Sequence, residues 1–346
     1  MIRGVALLVI LVDHLESLAG IKIFRRATLN QFGLSDALEI FVFVSGYVFG
    51  LTYLKRVKRG FALAQKKALF RCGQLVLANV ATLLMVWLVI LLTRPGNDRL
   101  QQMNLELLVA APPTAVIETL LCQYQPYCLD ILPLYVGILT LAPVQVWLLT
   151  RQPMLALWVT LNLYGLGQAG VNLDQYGWFY NPFSWQLLFF GGIFSSHINH
   201  AIRQRIFSAS VVVFAAIAFL ALTMSADTLL RDINAMTSIQ LFSKSNAGLF
   251  RLIHFFLLAI PVTWCLTRFA WLSENFVARM IAACGKNSLS VFCAGVVLTY
   301  LGNFIVPRNS VPHLVSYQCL CLVSLILLPH LLQICRTLIP VLSPVD

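Results

Sequence analysis

The sequence predicts an all-α, polytopic integral membrane protein with about ten transmembrane helices in one bundle. Three observations predict it. Apolar residues make up 59% of the 346 residues and charged residues only 11%, with a mean hydropathy of +0.83. Soluble domains carry roughly 25% charge, so this chain lacks the side chains to cover a water-facing surface. The apolar runs are about 15 to 25 residues long and show no period-two alternation, which selects helices over a barrel. Inside a bilayer each backbone N–H and C=O must be bonded within its own segment, and a helix does that.

The first span, 3–19, starts almost at Met1. Asp13, His14 and Glu16 interrupt it and no small-residue cleavage site follows, so it reads as a retained helix and not as a signal peptide. The second, 36–54, opens on Ser35 or Asp36, either of which suits an N-cap, with Glu39 in the next turn. The third and fourth cover 69–93 and 129–150. The fifth and sixth, 153–168 and 184–199, are short and broken by Gly and Pro. The last four cover 208–226, 247–267, 287–305 and 313–336. No repeat, low-complexity tract or soluble insertion divides the chain, so 1–346 reads as a single transmembrane domain. The nine cysteines lie mostly in apolar segments without metal-ligand spacing, so they are expected as buried small hydrophobes, and no metal site is expected. Cys122 and Cys128 share a loop and would pair if it faced an oxidising compartment.

The formal charge of +11 would point to nucleic acid in a soluble protein, but here it reflects where Lys and Arg sit between spans. Loops after even-numbered spans hold thirteen of them, seven between Lys55 and Arg71, and loops after odd-numbered spans hold nine, including Lys22, Arg25, Arg26 and Arg231. The excess places both termini in the cytoplasm. The loops around 20–35, 94–128, 169–183 and 227–246 then face outward.

Ionisable groups within membrane helices are costly and point to function. Arg3 and His14 lie eleven residues apart on one helix, about 16 Å along its axis. Asp13 beside His14 could fix its tautomer. Asp36 suits a cap, whereas Glu39 shares a face with Phe43, Gly46 and Gly50, where small residues mark helix contact and not lipid. Lys244 leads into the eighth span, where Arg251 and His254 are three apart on one face. With this topology the three clusters converge in the outer half of the bilayer. A base, carboxylates and cations at one depth can remove a hydroxyl proton and stabilise an oxyanion. They serve a transporter's proton relay or anion site equally well. Transporters often carry paired repeats with interrupted helices at matching positions, and none is evident here. The outer loops also carry aromatic residues, among them Trp178 and Trp185, whose faces could stack on sugar rings or form an interfacial belt.

Arg3-Gly4 followed by Val12-Asp13-His14 resembles the R-x10-H signature of the acyltransferase-three superfamily of membrane acyltransferases. The block from Phe32 to Tyr47, with its Ser-Asp-x-x-Glu-x-Phe-x-Phe-x-Ser-Gly-Tyr pattern, resembles the OpgC family, which succinylates osmoregulated periplasmic glucans. So do Asn181 to Phe189, Arg251 to His254 and Cys284 to Cys293, in order along nearly the whole chain. One departure stands out: family members carry a charged stretch with an aspartate before the Arg-Gly pair, where here only Met1 and Ile2 precede Arg3. The resemblance implies an inner-membrane enzyme with no bound cofactor. It would use acyl-CoA, with succinyl-CoA expected, as co-substrate and a periplasmic glycan as acceptor. CoA phosphates would meet Arg3 and the Lys55–Arg71 loop, and His14 would deprotonate the sugar hydroxyl, oriented by Asp13 or Glu39. Arg251 or Lys244 would then steady the oxyanion. His254 joins this catalytic set, and Asp36, Trp178 and Trp185 join the substrate contacts.

Overall fold

The computed structural model describes residues 1–21, 23–24, 28, 33–236, 241–269 and 271–338, with side chains described throughout except at 226–236, 272–273, 336 and 338. Lys22, Arg25, Arg26, Phe32 and the side chain of Arg231, used above, lie outside the described residues.

Among the described residues the chain is helical, in the order α1 (Ile2–Ala19), α2 (Ala37–Arg59), α3 (Phe61–Thr93), α4 (Asn97–Gln102), α5 (Glu106–Ala110), α6 (Pro112–Leu120), α7 (Ile131–Arg151), α8 (Pro153–Gln168), α9 (Pro182–Ser195), α10 (His200–Ile206), α11 (Ala209–Met236), α12 (Leu249–Arg268), α13 (Trp271–Glu274), α14 (Phe276–Lys286), α15 (Ser288–Ile305) and α16 (Val311–Leu338). Each of the ten expected spans coincides with one of the long helices. Pro at the first helical position starts α6, α8 and α9, where its missing N–H costs nothing.

By length and composition six described helices can cross a bilayer: α2, α3, α7, α12, α15 and α16. The bent pair α10 and α11 makes a seventh candidate. The expected count of ten is therefore not reached by this measure. The three helices that fall short do so for visible reasons: α1 carries Arg3, Asp13 and Glu16, and α8 and α9 have only 16 and 14 residues. The chain is a helical multi-pass membrane protein.

The centre of the bundle is built on α2 and α9, which touch at backbone distance. A Cβ on Gly46 would collide with the Phe189 carbonyl oxygen, and one on Gly192 with the Phe43 carbonyl oxygen. Without a hydrophobic drive between helices in lipid, such close approach supplies the packing energy. α1, α3, α7 and α8 pack against this pair, and α15 packs on α1 and α3 behind them. The α11–α12 pair leans on the side, and α12 buries only Arg251, Leu252, His254 and Phe255. At one end of the bundle lie the start of α1, the α2–α3 turn and the start of α15. At the other end lie the start of α2, the short helices α4 to α6, and the 241–248 loop.

Replacing Gly46 by Leu should separate α2 from α9 and destabilise the protein by about 3 kcal/mol or more, as overpacking against rigid backbone does. The thermal midpoint of the purified protein in detergent measures this, and an unchanged midpoint would refute the tight α2–α9 contact.

Candidate active site

Two of the three charged clusters found in the sequence, Asp36 with Glu39 and Lys244 with Arg251 and His254, meet in space around the start of α2, while Arg3 and His14 lie apart from them. Asp36 caps α2: its Oδ1 accepts from the Leu38 N–H at 2.8 Å, and Glu39 Oε2 accepts from the Asp36 N–H at 2.8 Å. This capping box satisfies two orphan donors. The other oxygens of both carboxylates face cations. Arg251 donates to Glu39 Oε1 from Nε at 2.8 Å and from an Nη at 2.6 Å. Asp36 Oδ2 takes Lys244 Nζ at 2.7 Å, with the same Arg251 nitrogen at 3.6 Å. Two carboxylates and two cations thus form a closed, charge-balanced network from residues more than 200 positions apart. Glu39 serves Arg251, not His14, in this arrangement.

Lys244 reaches the network because its loop is pinned. The Trp185 indole N–H donates to the carbonyls of Lys244 and Ser245 at 3.1 and 3.0 Å, and the Asn181 N–H donates to Ser245 O at 2.9 Å. Trp185 is completely buried, so it offers no face to a sugar; its indole N–H is spent holding this loop, as buried Trp commonly requires. That corrects its expected place among the substrate contacts. Trp178 lies half-buried beside Gly137 and Pro182, with Tyr176 and Phe179 exposed in the same loop.

His254 is fully buried, and both ring nitrogens are engaged. Ser35 donates its backbone N–H to Nδ1 at 3.3 Å, with its hydroxyl 2.6 Å from the same nitrogen, and Thr223 Oγ1 lies 3.0 Å from Nε2. The Thr223 hydroxyl donates to Phe219 O at 2.8 Å, so it accepts from His254. The proton is thereby assigned to Nε2. Gly33 makes room for this ring: its φ is +103°, and a Cβ there would meet Nε2. His254 therefore ties α12 to α11 and to the start of α2, and its lone pair is taken.

His14 points elsewhere. Cys128 Sγ lies 3.3 Å from its Nδ1, and the Tyr127 ring meets it edge-on at 5.5 Å between centroids. Cys122 and Cys128 are both free, buried thiols, so the expected disulfide is absent. Asp13, one residue and roughly 100° around the helix from His14, accepts from Thr28 Oγ1 at 2.7 Å.

Two carboxylates stand outside the candidate set drawn from the sequence. Glu16 is fully buried and closes the turn after α1, accepting from the Ile23 and Phe24 N–H groups, each at 2.8 Å, and from Gln318 Nε2 at 3.3 Å. Asp130 sits at the entry to α7, next but one to Cys128. Its signal was a lone acid at the head of an otherwise apolar span.

A cavity of about 690 Å³ runs from this region to the basic end of the bundle. Arg56, Lys66, Lys67 and Arg71 line one end, and Phe41, Tyr135 and Ile131 line the other, with no acidic residue along the wall. Arg3 projects into the wall near Phe41, whose ring centroid lies 5.4 Å from its guanidinium carbon, and it donates to Ser288 Oγ. Among the described residues its buried Nε has no hydrogen-bond partner. Tyr135 donates to Ser45 Oγ at 3.0 Å, which locks α7 to α2 beside it.

The Glu39–Arg251 pair should behave as buried pairs do. Glu39→Met alone should lower stability by about 3–5 kcal/mol, while Glu39→Met with Arg251→Met recovers most of that loss. Thermal unfolding of these two variants and of Arg251→Met alone reads the coupling; additive losses would show that the two side chains do not interact.

No curated protein and no solved structure matches the chain. A family model described as OpgC protein matches residues 1–336. The chain therefore belongs to the OpgC family, a family of membrane proteins associated with the modification of glucans.

Proposed function

We propose that the protein is a membrane O-acyltransferase that moves a succinyl group from cytoplasmic acyl-CoA to hydroxyls of a periplasmic glucan, with both termini in the cytoplasm and no bound cofactor. The observation that carries this reading is the cavity: cationic at one end, free of acids, and directed at the depth of the buried charged network. CoA phosphates are anions, and Arg56, Lys66, Lys67 and Arg71 are the donors that would receive them at the mouth. The pantetheine arm would lie along Phe49, Ser45 and Tyr135, with Arg3 beside its inner stretch.

His14 Nε2 takes the proton from the sugar hydroxyl while Nδ1 bears its hydrogen toward Cys128 Sγ. The hydroxyl oxygen attacks the thioester carbonyl carbon, and the tetrahedral oxyanion draws on the nearest cation. Lys244 suits this step better than Arg251, because Lys244 is partly exposed and Arg251 is committed to Glu39. Collapse forms the ester, breaks the C–S bond and returns the proton from His14 to the CoA thiolate. Asp36 and Glu39 hold the two cations in place, His254 fixes the start of α2, and Asp13 anchors the turn after α1 through Thr28. Trp178 offers a ring face to the more distant sugar units.

Mass profiles of periplasmic glucans test the reading in cells with and without the gene, complemented by wild type or His14→Ala. The expected outcome is a mass increase of one acyl unit, restored by wild type and not by His14→Ala; identical profiles in all strains would overturn it. Arg71→Ala should raise the KM for acyl-CoA about tenfold while the KM for the glucan stays level. Steady-state kinetics in lipid nanodiscs measures both, and an unchanged donor KM would remove the basic mouth from the donor site.

A further inference from the structure

A second cleft, of about 440 Å³, opens at the end of the bundle away from the basic mouth. Its walls are the end of α1, the short helix α4 and the turn between α15 and α16, and its polar lining is Ser17, Asp98, Gln102, Arg308 and Asn309. These elements are fastened together. An Arg308 Nη pairs with Asp98 Oδ2 at 3.0 Å and donates to Gln102 Oε1 at 3.4 Å. Arg99 straps α4 to α15 through the Asn303 carbonyl and, at 3.5 Å, the Val306 carbonyl.

The cleft adjoins His14. Ser17 lies one turn along α1 from His14, about 4.5 Å in rise and on the same face. Tyr127, whose ring edge meets His14, also has Ser17 as a polar neighbour. A ligand seated against Ser17 therefore has one Tyr127-walled step to the imidazole.

We propose that this cleft holds the reacting unit of the acceptor, a neutral polyhydroxylated sugar, and presents one of its hydroxyls past Ser17 to His14. The assignment rests on the acyl-transfer reading above and adds to it the place and chemistry of the acceptor. Charge selects the ligand class. Asp98 and Arg308 cancel each other, and the remaining polar groups are amides and a hydroxyl that both donate and accept. Vicinal sugar hydroxyls have the same double character. The donor cavity has the opposite make-up, cations without acids, as an anion requires. The two substrates thus enter from opposite ends of the bundle, and His14 lies between.

The test uses the full chain in lipid nanodiscs, with succinyl-CoA as donor and a short glucose oligosaccharide as acceptor. Gln102→Ala is one variant. Asn309→Gly is the other, chosen because Asn309 has a φ of +63° that glycine tolerates. Each should raise the KM for the oligosaccharide about tenfold, with the KM for succinyl-CoA and the thermal midpoint unchanged. An unchanged acceptor KM in both variants, or an equal rise in the donor KM, would overturn the assignment. If wild type transfers no acyl group to any oligosaccharide, the proposed activity fails on its own account, and saturation-transfer NMR then judges the cleft. Oligosaccharide binding to wild type that Gln102→Ala abolishes would uphold it; absent or undiminished binding would overturn it.

Discussion

Arg251 is the residue on which α12 is seated. That helix exposes most of its length, and its buried residues are confined to Arg251, Leu252, His254 and Phe255. A guanidinium withdrawn from water inside a bundle cannot stand alone; its desolvation must be met by a carboxylate at hydrogen-bond distance with the other lone pairs also filled. Glu39 does this with two bonds, and its second oxygen is filled by the Asp36 N–H. Asp36 in turn holds Lys244, and the capping box fixes the first turn of α2. One connected set of charges therefore sets the start of α2, the 241–248 loop and the docking of the α11–α12 pair. A fully satisfied network specifies one geometry, since removing a single member leaves a buried charge unpaired.

The same network divides labour among residues that look alike in sequence. His14 and His254 are both histidines in apolar helices, yet their surroundings give them opposite properties. The nitrogens of His254 are spent on Ser35 and Thr223, so its ring is a fastening between helices. Among the described residues the neighbours of His14 include a thiol and a phenol ring. The basic residues divide as well. Arg251 and Lys244 are neutralised by carboxylates, whereas Arg56, Lys66, Lys67 and Arg71 line a cavity with no acid in its wall. The second group, with no carboxylate beside it in the wall, keeps its full field for an incoming anion.

The helices were legible in the sequence because apolar length and Pro–Gly punctuation carry that information locally. The ten expected spans all fall on helices, with ends shifted by a few residues at most except where α2, α3 and α11 run on beyond their apolar cores. The meeting of Asp36, Glu39, Lys244 and Arg251 was also legible, since four ionisable groups at one depth need one another. What stayed hidden was the pairing within the set and the direction of each side chain. Trp185 illustrates this: an aromatic in an outer loop region reads as a platform, and only the position of the 241–248 carbonyls turns it into a buried strut. Glu16 and Asp130 stand outside the candidate set for a related reason. Each sits at a helix boundary, where a carboxylate is the ordinary residue for satisfying backbone donors, and its burial depends on segments distant in sequence.

The proposed transfer would join substrates from two sides of a membrane and so would need a short barrier, which the start of α2 offers. The hydrocarbon core of a bilayer is about 30 Å thick. From Arg56 to Phe41 the cavity follows α2 for fifteen residues, about 22 Å of rise. Asp36 lies only five residues beyond Phe41, at the opposite end of the helix, where the capping box and the 241–248 loop close it. Along α2 the cavity therefore follows about 22 Å, and only about one and a half turns separate it from the start of the helix. That closed stretch holds the capping box with its ion pairs. Irregular backbone such as the 33–36 and 241–248 segments is tolerated at that level because Trp185, Asn181, Glu39 and His254 take up its polar groups. The thin closed layer and the charged network are thus one construction: the charges are affordable because they bond one another, and the layer stays closed because they do.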